Sequence, residues 1–136
     1  MDQRRKNIAL DAARDYWSFS EKRQIPKGYR VTVYDQCSTS AVESGFLEEL
    51  LKKVDEAWLE EVGGLSKTGR LSQADFANFV NQVRTSRGSS TLDPNSSLVE
   101  RWMRSVVDLR EDVYLVEIIN DDETKLLLVN TSMSQS

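Results

Sequence analysis

The chain contains no histidine, and its only cysteine is Cys37. Those two residue types carry most acid–base chemistry near neutral pH and most zinc and iron sites. Without histidine, the Ser-His-Asp and Cys-His nucleophilic arrangements are excluded. A lone cysteine cannot close an internal disulfide. Cys37 follows a predicted strand with no activating neighbour, so it reads as a small, semi-buried thiol rather than a nucleophile. No apolar run is long enough to cross a bilayer. Asp11 and Asp15 interrupt what would have to be the apolar segment of a secretion signal. Glycine-rich phosphate loops, RNA-binding signatures and internal repeats are also missing. These absences point away from a metalloenzyme or hydrolase. They favour a cytoplasmic binding or assembly protein.

What is present describes an ordinary acidic globular chain. Its 136 residues, 39% hydrophobic and 29% charged, predict one domain over 1–136 with a real core. The net charge of −4 is unevenly spread. Residues 1–30 hold eight bases against four acids, a net +4, and the remainder holds ten against eighteen, a net −8. Such asymmetry bears on partners rather than on fold.

Hydrophobic spacing predicts the elements. Ile8, Ala9, Ala12, Ala13 and Tyr16 share a stripe on a helix over 5–17, and Ser18-Phe19-Ser20 weakens the pattern. Pro26 and Gly28 mark a loop. Residues 29–34 read as a strand, with Tyr29, Val31 and Val33 alternating against Arg30 and Thr32. Ser40 and Glu43 fit a capping box. The following helix carries Val42, Phe46, Leu47, Leu50, Leu51, Val54, Trp58 and Val62, and Gly63-Gly64 ends it. Residues 65–70 read as a loop. Ser72 caps a helix striped by Phe76, Phe79, Val80 and Val83. Residues 84–95, rich in Ser, Gly, Thr, Asp and Pro, read as a mobile loop. Ser96 or Ser97 caps a further helix with Leu98, Trp102, Met103, Val106 and Val107. Residues 113–119 and 124–130 form a hairpin across Asn120–Glu123, and 131–136 is a frayed tail. The expectation is an α+β fold of about four helices packed with a small antiparallel sheet, built from strand 29–34 and the hairpin 113–130.

One stretch, Val54 to Val83, resembles a degenerate EF-hand. It has a helix, a loop with Gly69 at the turn position and Leu71 two residues on, then a second helix. The resemblance implies that Gly64, Ser66, Thr68 and Asp75 stand where a calcium loop has its first, third, fifth and twelfth ligands. Only Asp75 is a carboxylate, and Lys67 and Arg70 add positive charge, so no metal site is predicted. The adjacent acids Glu48-Glu49, Glu60-Glu61 and Asp121-Asp122 read as a solvated helix face and a turn, because catalytic carboxylates must face one another across a cleft.

The candidate partner-binding residues are Arg4, Arg5, Lys6, Trp17, Lys22 and Arg23, in the basic, aromatic N-terminal segment. Three readings follow. The first is a non-enzymatic protein-interaction module, a small subunit or adaptor of a larger assembly, meeting a protein partner or a second copy of itself. Missing catalytic chemistry, separated charge and a strand-rich C-terminus that could offer a sheet edge favour it. The second is single-stranded RNA binding, with Tyr16, Trp17, Phe19, Tyr29 and Tyr34 stacking on bases while cations meet phosphates. The third is an enzyme using carboxylates or a bound cofactor. No catalytic residue, cofactor, membrane or small-molecule partner is predicted.

Overall fold

A computed structural model describes residues 3–38, 43–62 and 69–133. Among them, the elements run α1 (Gln3–Glu21), β1 (Arg30–Tyr34), α2 (Ser44–Val62), β2 (Gly69–Ser72), α3 (Gln73–Ser86), α4 (Ser97–Leu109), β3 (Val113–Ile119) and β4 (Thr124–Asn130), with a 3-10 turn at Thr131–Met133. This is an α+β fold of four helices and a four-stranded antiparallel sheet in the order β1-β3-β4-β2.

The hairpin β3–β4 forms the centre of the sheet. Its two strands pair from Val113↔Asn130 to Ile119↔Thr124. β1 adds to β3, from Arg30↔Ile119 to Tyr34↔Leu115, and β2 adds to β4. The outer strands are therefore β1 and β2, and among the described residues β2 covers β4 only from Leu127 to Asn130, so that Thr124–Leu126 pairs with β3 alone. The high apolar content of the hairpin has this cause: both faces are covered. Tyr114, Val116, Ile118, Leu127 and Val129 point to one face, where Ala9, Ala12, Ala13 and Trp17 of α1 meet them. Val113, Leu115, Leu126 and Leu128 point to the other, under Phe46, Leu50, Val54 and Trp58 of α2 and the stripes of α3 and α4. The period-two alternation of a strand thus divides the molecule into two cores.

α1 and β2 differ most from sequence expectation. α1 runs on to Glu21 because Trp17 is buried beneath it and its last turn is held by Ser20 Oγ donating to the Trp17 carbonyl at 3.3 Å. Lys22, at φ 59°, then turns the chain out. Gly69 and Arg70, read as loop, belong to β2. Leu71 is opposite Leu128 and buried, so sheet pairing overrides a polar local sequence.

The helix caps follow their local signals. Ser72 caps α3, its hydroxyl accepting from Asp75 N, and Ser96 rather than Ser97 caps α4 by accepting from Leu98 N. α3 extends through Ser86, into the segment read as loop. The stretch after it is tied back: the Asn81 side chain donates to Leu92 O at 3.0 Å and accepts from Leu92 N at 2.8 Å. Arg84 Nε donates to Ser90 O. At the C-terminus, Thr131 donates to the Asp112 carbonyl through both its backbone N–H and its hydroxyl. The Ser40–Glu43 capping box and the Gly63-Gly64 stop lie largely outside the described residues. The same holds for the first half of the EF-hand-like loop. Its Asp75 carboxylate accepts from Ser72 Oγ at 3.0 Å as part of the α3 cap.

Candidate functional site

α1 places the six predicted partner-binding residues in two groups, not one. Arg4, Arg5 and Lys6 occupy its first turns, whereas Trp17, Lys22 and Arg23 sit at its other end. Arg5 and Glu21 are separated by about 24 Å of helix. The first group is set against the helix macrodipole. The N-terminus of a helix carries partial positive charge and favours acids, yet the first turn of α1 has no acidic residue and three cations follow one another there. The result is a concentrated positive end.

Charge that is segregated in sequence is also segregated in space. α1 and the segment after it, anchored by Ile25 and Tyr29, lie on one face of the sheet. α2 lies on the opposite face. Residues 3–30 carry eight bases against three acids, and α2 carries six acids against Lys52 and Lys53. The sheet is therefore a partition between a basic face and an acidic one.

The second group is built differently from a stacking platform. Trp17 is 1% exposed. Tyr29 meets its ring edge-on at 5.2 Å between centroids, and Arg23 and Lys125 lie over it at 5.8 and 4.8 Å. It cannot accept a base. Phe19, 58% exposed with Lys22 Nζ 5.0 Å from its centroid, is the accessible aromatic at this end.

Beside Trp17 is a cleft of about 460 Å³ that sequence reasoning missed. It is assembled from the end of α1, Ser72 and the first turn of α3, Asn95, Ile118 of β3 and the start of β4. Glu123 and Lys125, two apart where β4 begins, both turn toward α1. Glu123 accepts a hydrogen bond from the Tyr29 hydroxyl, which pushes the Tyr29 phenol above its usual value. Lys125 pairs with Glu21. The turn is fixed by Asn120, whose side chain accepts from the backbone N–H groups of Asp122 and Glu123. The only sequence signal for this cleft is the β4 alternation, which places Glu123 and Lys125 on the α1 side. The segments that meet there are scattered along the chain.

A larger, open trough of about 880 Å³ runs between α2 and α3, with Glu49, Lys52, Lys53 and Glu56 on one wall and Asn78, Asn81 and Gln82 on the other. Its polar, mixed-charge walls are those of a solvated surface. Glu49 is engaged by Arg87 at 3.4 Å. Asp121 and Asp122 are exposed in the hairpin turn. No cluster of three potential metal-ligating side chains occurs among the described residues. Cys37 packs half-buried against the larger core, and burial pushes its thiol up, away from the thiolate, despite the opposing charge of Arg104. No helix among the described residues is long and apolar enough to cross a membrane.

No family model, curated protein or solved structure matches the chain.

Proposed function

We propose that this protein is a non-enzymatic interaction module, a small subunit or adaptor, that docks an acidic protein surface on the positive end of α1. The observation that carries this reading is the placement of Arg4, Arg5 and Lys6 against the α1 dipole. A helix N-terminus favours acids over cations. Local rules are broken in this way where function demands it. The partition of charge across the sheet reinforces it. A partner approaching the α1 face meets a basic field, while the acidic α2 face repels it, so the molecule orients its encounters. Electrostatics of this kind acts chiefly on association rate and is screened over about 8 Å at physiological salt. The acidic surface can belong to another protein or to α2 of a second copy. The burial of Trp17 weighs against the RNA reading by removing its central stacking group.

The test is reversal of Arg4, Arg5 and Lys6 to Glu. Association with the co-purifying partner and self-association by sedimentation are measured at low and moderate salt. The variant should associate more slowly, by about tenfold or more at low salt. Its thermal stability should hold or rise, because acids now face the positive helix end. Unchanged rates in every condition would overturn the reading. Salt-sensitive binding to single-stranded RNA, lost on the same reversal, would replace it with the nucleic-acid one.

A further inference from the structure

Three arginines from two helices converge on one small hollow. Arg84 in the last turn of α3, Arg87 at its C-cap and Arg101 of α4 line a pocket of about 210 Å³ beside the start of α2. Arg84 and Arg101 pair with no acid among the described residues. Arg84 Nε donates to the Ser90 carbonyl at 2.7 Å, and the rest of its guanidinium donors are left over. Arg87 is held by Glu43 at 3.0 Å and Glu49 at 3.4 Å. Of these two acids Glu43 alone lines the pocket, and its side chain is 76% exposed. The chain makes room for Arg87: a Cβ on Gly45, in the first turn of α2, would come within 2.9 Å of Arg87 Nη2. Glycine is a poorer helix former than alanine, so α2 loses propensity there and the guanidinium gains its seat. Below it, the Phe46 and Trp102 rings meet at 4.5 Å between centroids, with Arg87 5.7 Å from that of Phe46. Like charges around one hollow repel until an anion joins them.

We infer that this pocket binds a small phosphate monoester. A carboxylate is matched by one bidentate arginine, whereas a phosphoryl dianion carries three acceptor oxygens and suits several guanidiniums at once. Arg84 and Arg101 bring charge that no acid answers, and exposed Glu43 can turn out to water and leave Arg87 to the ligand. Phe46, Leu98 and Trp102 give the body of the ester an apolar surface, and the volume keeps that body small. None of these residues belongs to α1, so this inference and the docking reading can fail separately.

The experiment is calorimetry on the full-length protein with three probes. Phenyl phosphate is compared with phenyl sulfate, which has the same ring and a single charge, and with inorganic phosphate, which lacks the ring. The phosphate ester should bind saturably, at least about tenfold more tightly than the sulfate ester and more tightly than inorganic phosphate. Arg101→Gln should weaken it by about tenfold or more, and since Arg101 is exposed and pairs with no acid the fold is kept. Glu43→Gln should tighten it by removing the acid that competes for Arg87. Gly45→Ala should weaken it while Tm holds or rises, because the added methyl displaces the Arg87 guanidinium and favours the helix. A merely basic surface would respond to Arg101→Gln but not to Gly45→Ala, which leaves every charge in place. Binding that does not saturate, equal affinity for the two esters or for ester and inorganic phosphate, or an affinity untouched by Gly45→Ala would overturn the inference.

Discussion

Leu50 and Leu59 make a controlled pair. They share a helix, α2, and a residue type, and they differ in surroundings: Leu50 is 0% exposed and Leu59 is 72% exposed. Replacing Leu50 with Ala removes buried carbons from a core it shares with Phe46, Val54 and Trp102 and leaves a void that the neighbours fill only in part. Such truncations cost about 2–5 kcal/mol. Unfolding entropy near 60 °C is about 2.1 cal/mol/K per residue, or about 290 cal/mol/K for 136 residues. The expected fall in Tm is then about 7–17 °C. Leu59→Ala carries the same change in helix propensity without the void and should stay within about 0.5 kcal/mol of the parent, a shift below about 2 °C. Urea titration followed by circular dichroism gives both numbers. The midpoint should move at constant slope, since a changed slope would report on the unfolded state instead. A Leu50→Ala cost below about 1 kcal/mol, or one equal to that of Leu59→Ala, would refute the placement of this α2 face in the core.

Asp112 gives a pH prediction. Burial acts to raise its carboxyl, but hydrogen bonds from Arg110 and Ser132, with the Arg110 charge, outweigh it and hold the pKa below the usual value. A lowered folded-state pKa contributes stability that is complete above the unfolded value, about 3.9, and is lost as pH falls through the folded one. Asp112→Asn should therefore flatten the acid limb of stability against pH below about 4, seen as a smaller drop in denaturant midpoint than in the parent. Asn81→Ala should free the segment after α3, because both hydrogen bonds between the Asn81 side chain and the Leu92 backbone are lost. Amide exchange at Leu92 should accelerate by about tenfold or more while α3 stays protected, and unchanged exchange would show that the segment is held by other contacts.

Legibility from sequence followed the range of the interactions. The stripes of α2, α3 and α4 were readable because 3.6-residue spacing is a local consequence of one buried face, and Phe46, Leu50, Val54, Trp58, Phe76, Val80, Trp102 and Val106 are all buried. The hairpin was readable because β3 and β4 are adjacent in sequence. β2 was not, since four residues in a polar stretch of sequence have no local reason to extend, and their partner β4 is more than fifty residues away. The end of α1 was misplaced for a similar reason: Ser18-Phe19-Ser20 is a poor helical stripe, and Trp17 holds that turn through a core that exists only in three dimensions. The site residues divided in the same way. Cations near the N-terminus are visible in composition, whereas their separation into two ends of α1 depends on the helix length, and the cleft depends on distant segments meeting.

The same helix carries two demands on opposite sides, and this bears on how the docking reading is to be probed. The small residues Ala9, Ala12 and Ala13 let α1 lie close on Tyr114, Val116 and Leu127, and among the described helices it alone contributes to that core. A substitution on its inner side removes cover from a whole sheet face, and lost binding would then report lost folding. The outer positions are different. Arg4 is exposed, Arg5 and Lys6 are half-buried, and none belongs to the α1 core. Charge can be altered there with the aliphatic stems preserved, since long cationic side chains cover apolar surface while their heads stay in water. Arg→Gln and Lys→Gln changes at these three positions should then give part of the rate loss that reversal to Glu gives in full, in proportion to charge removed. A graded loss of rate at constant stability would tie association to the field of α1. A loss that appears only with Glu and brings a fall in Tm would trace it to the fold.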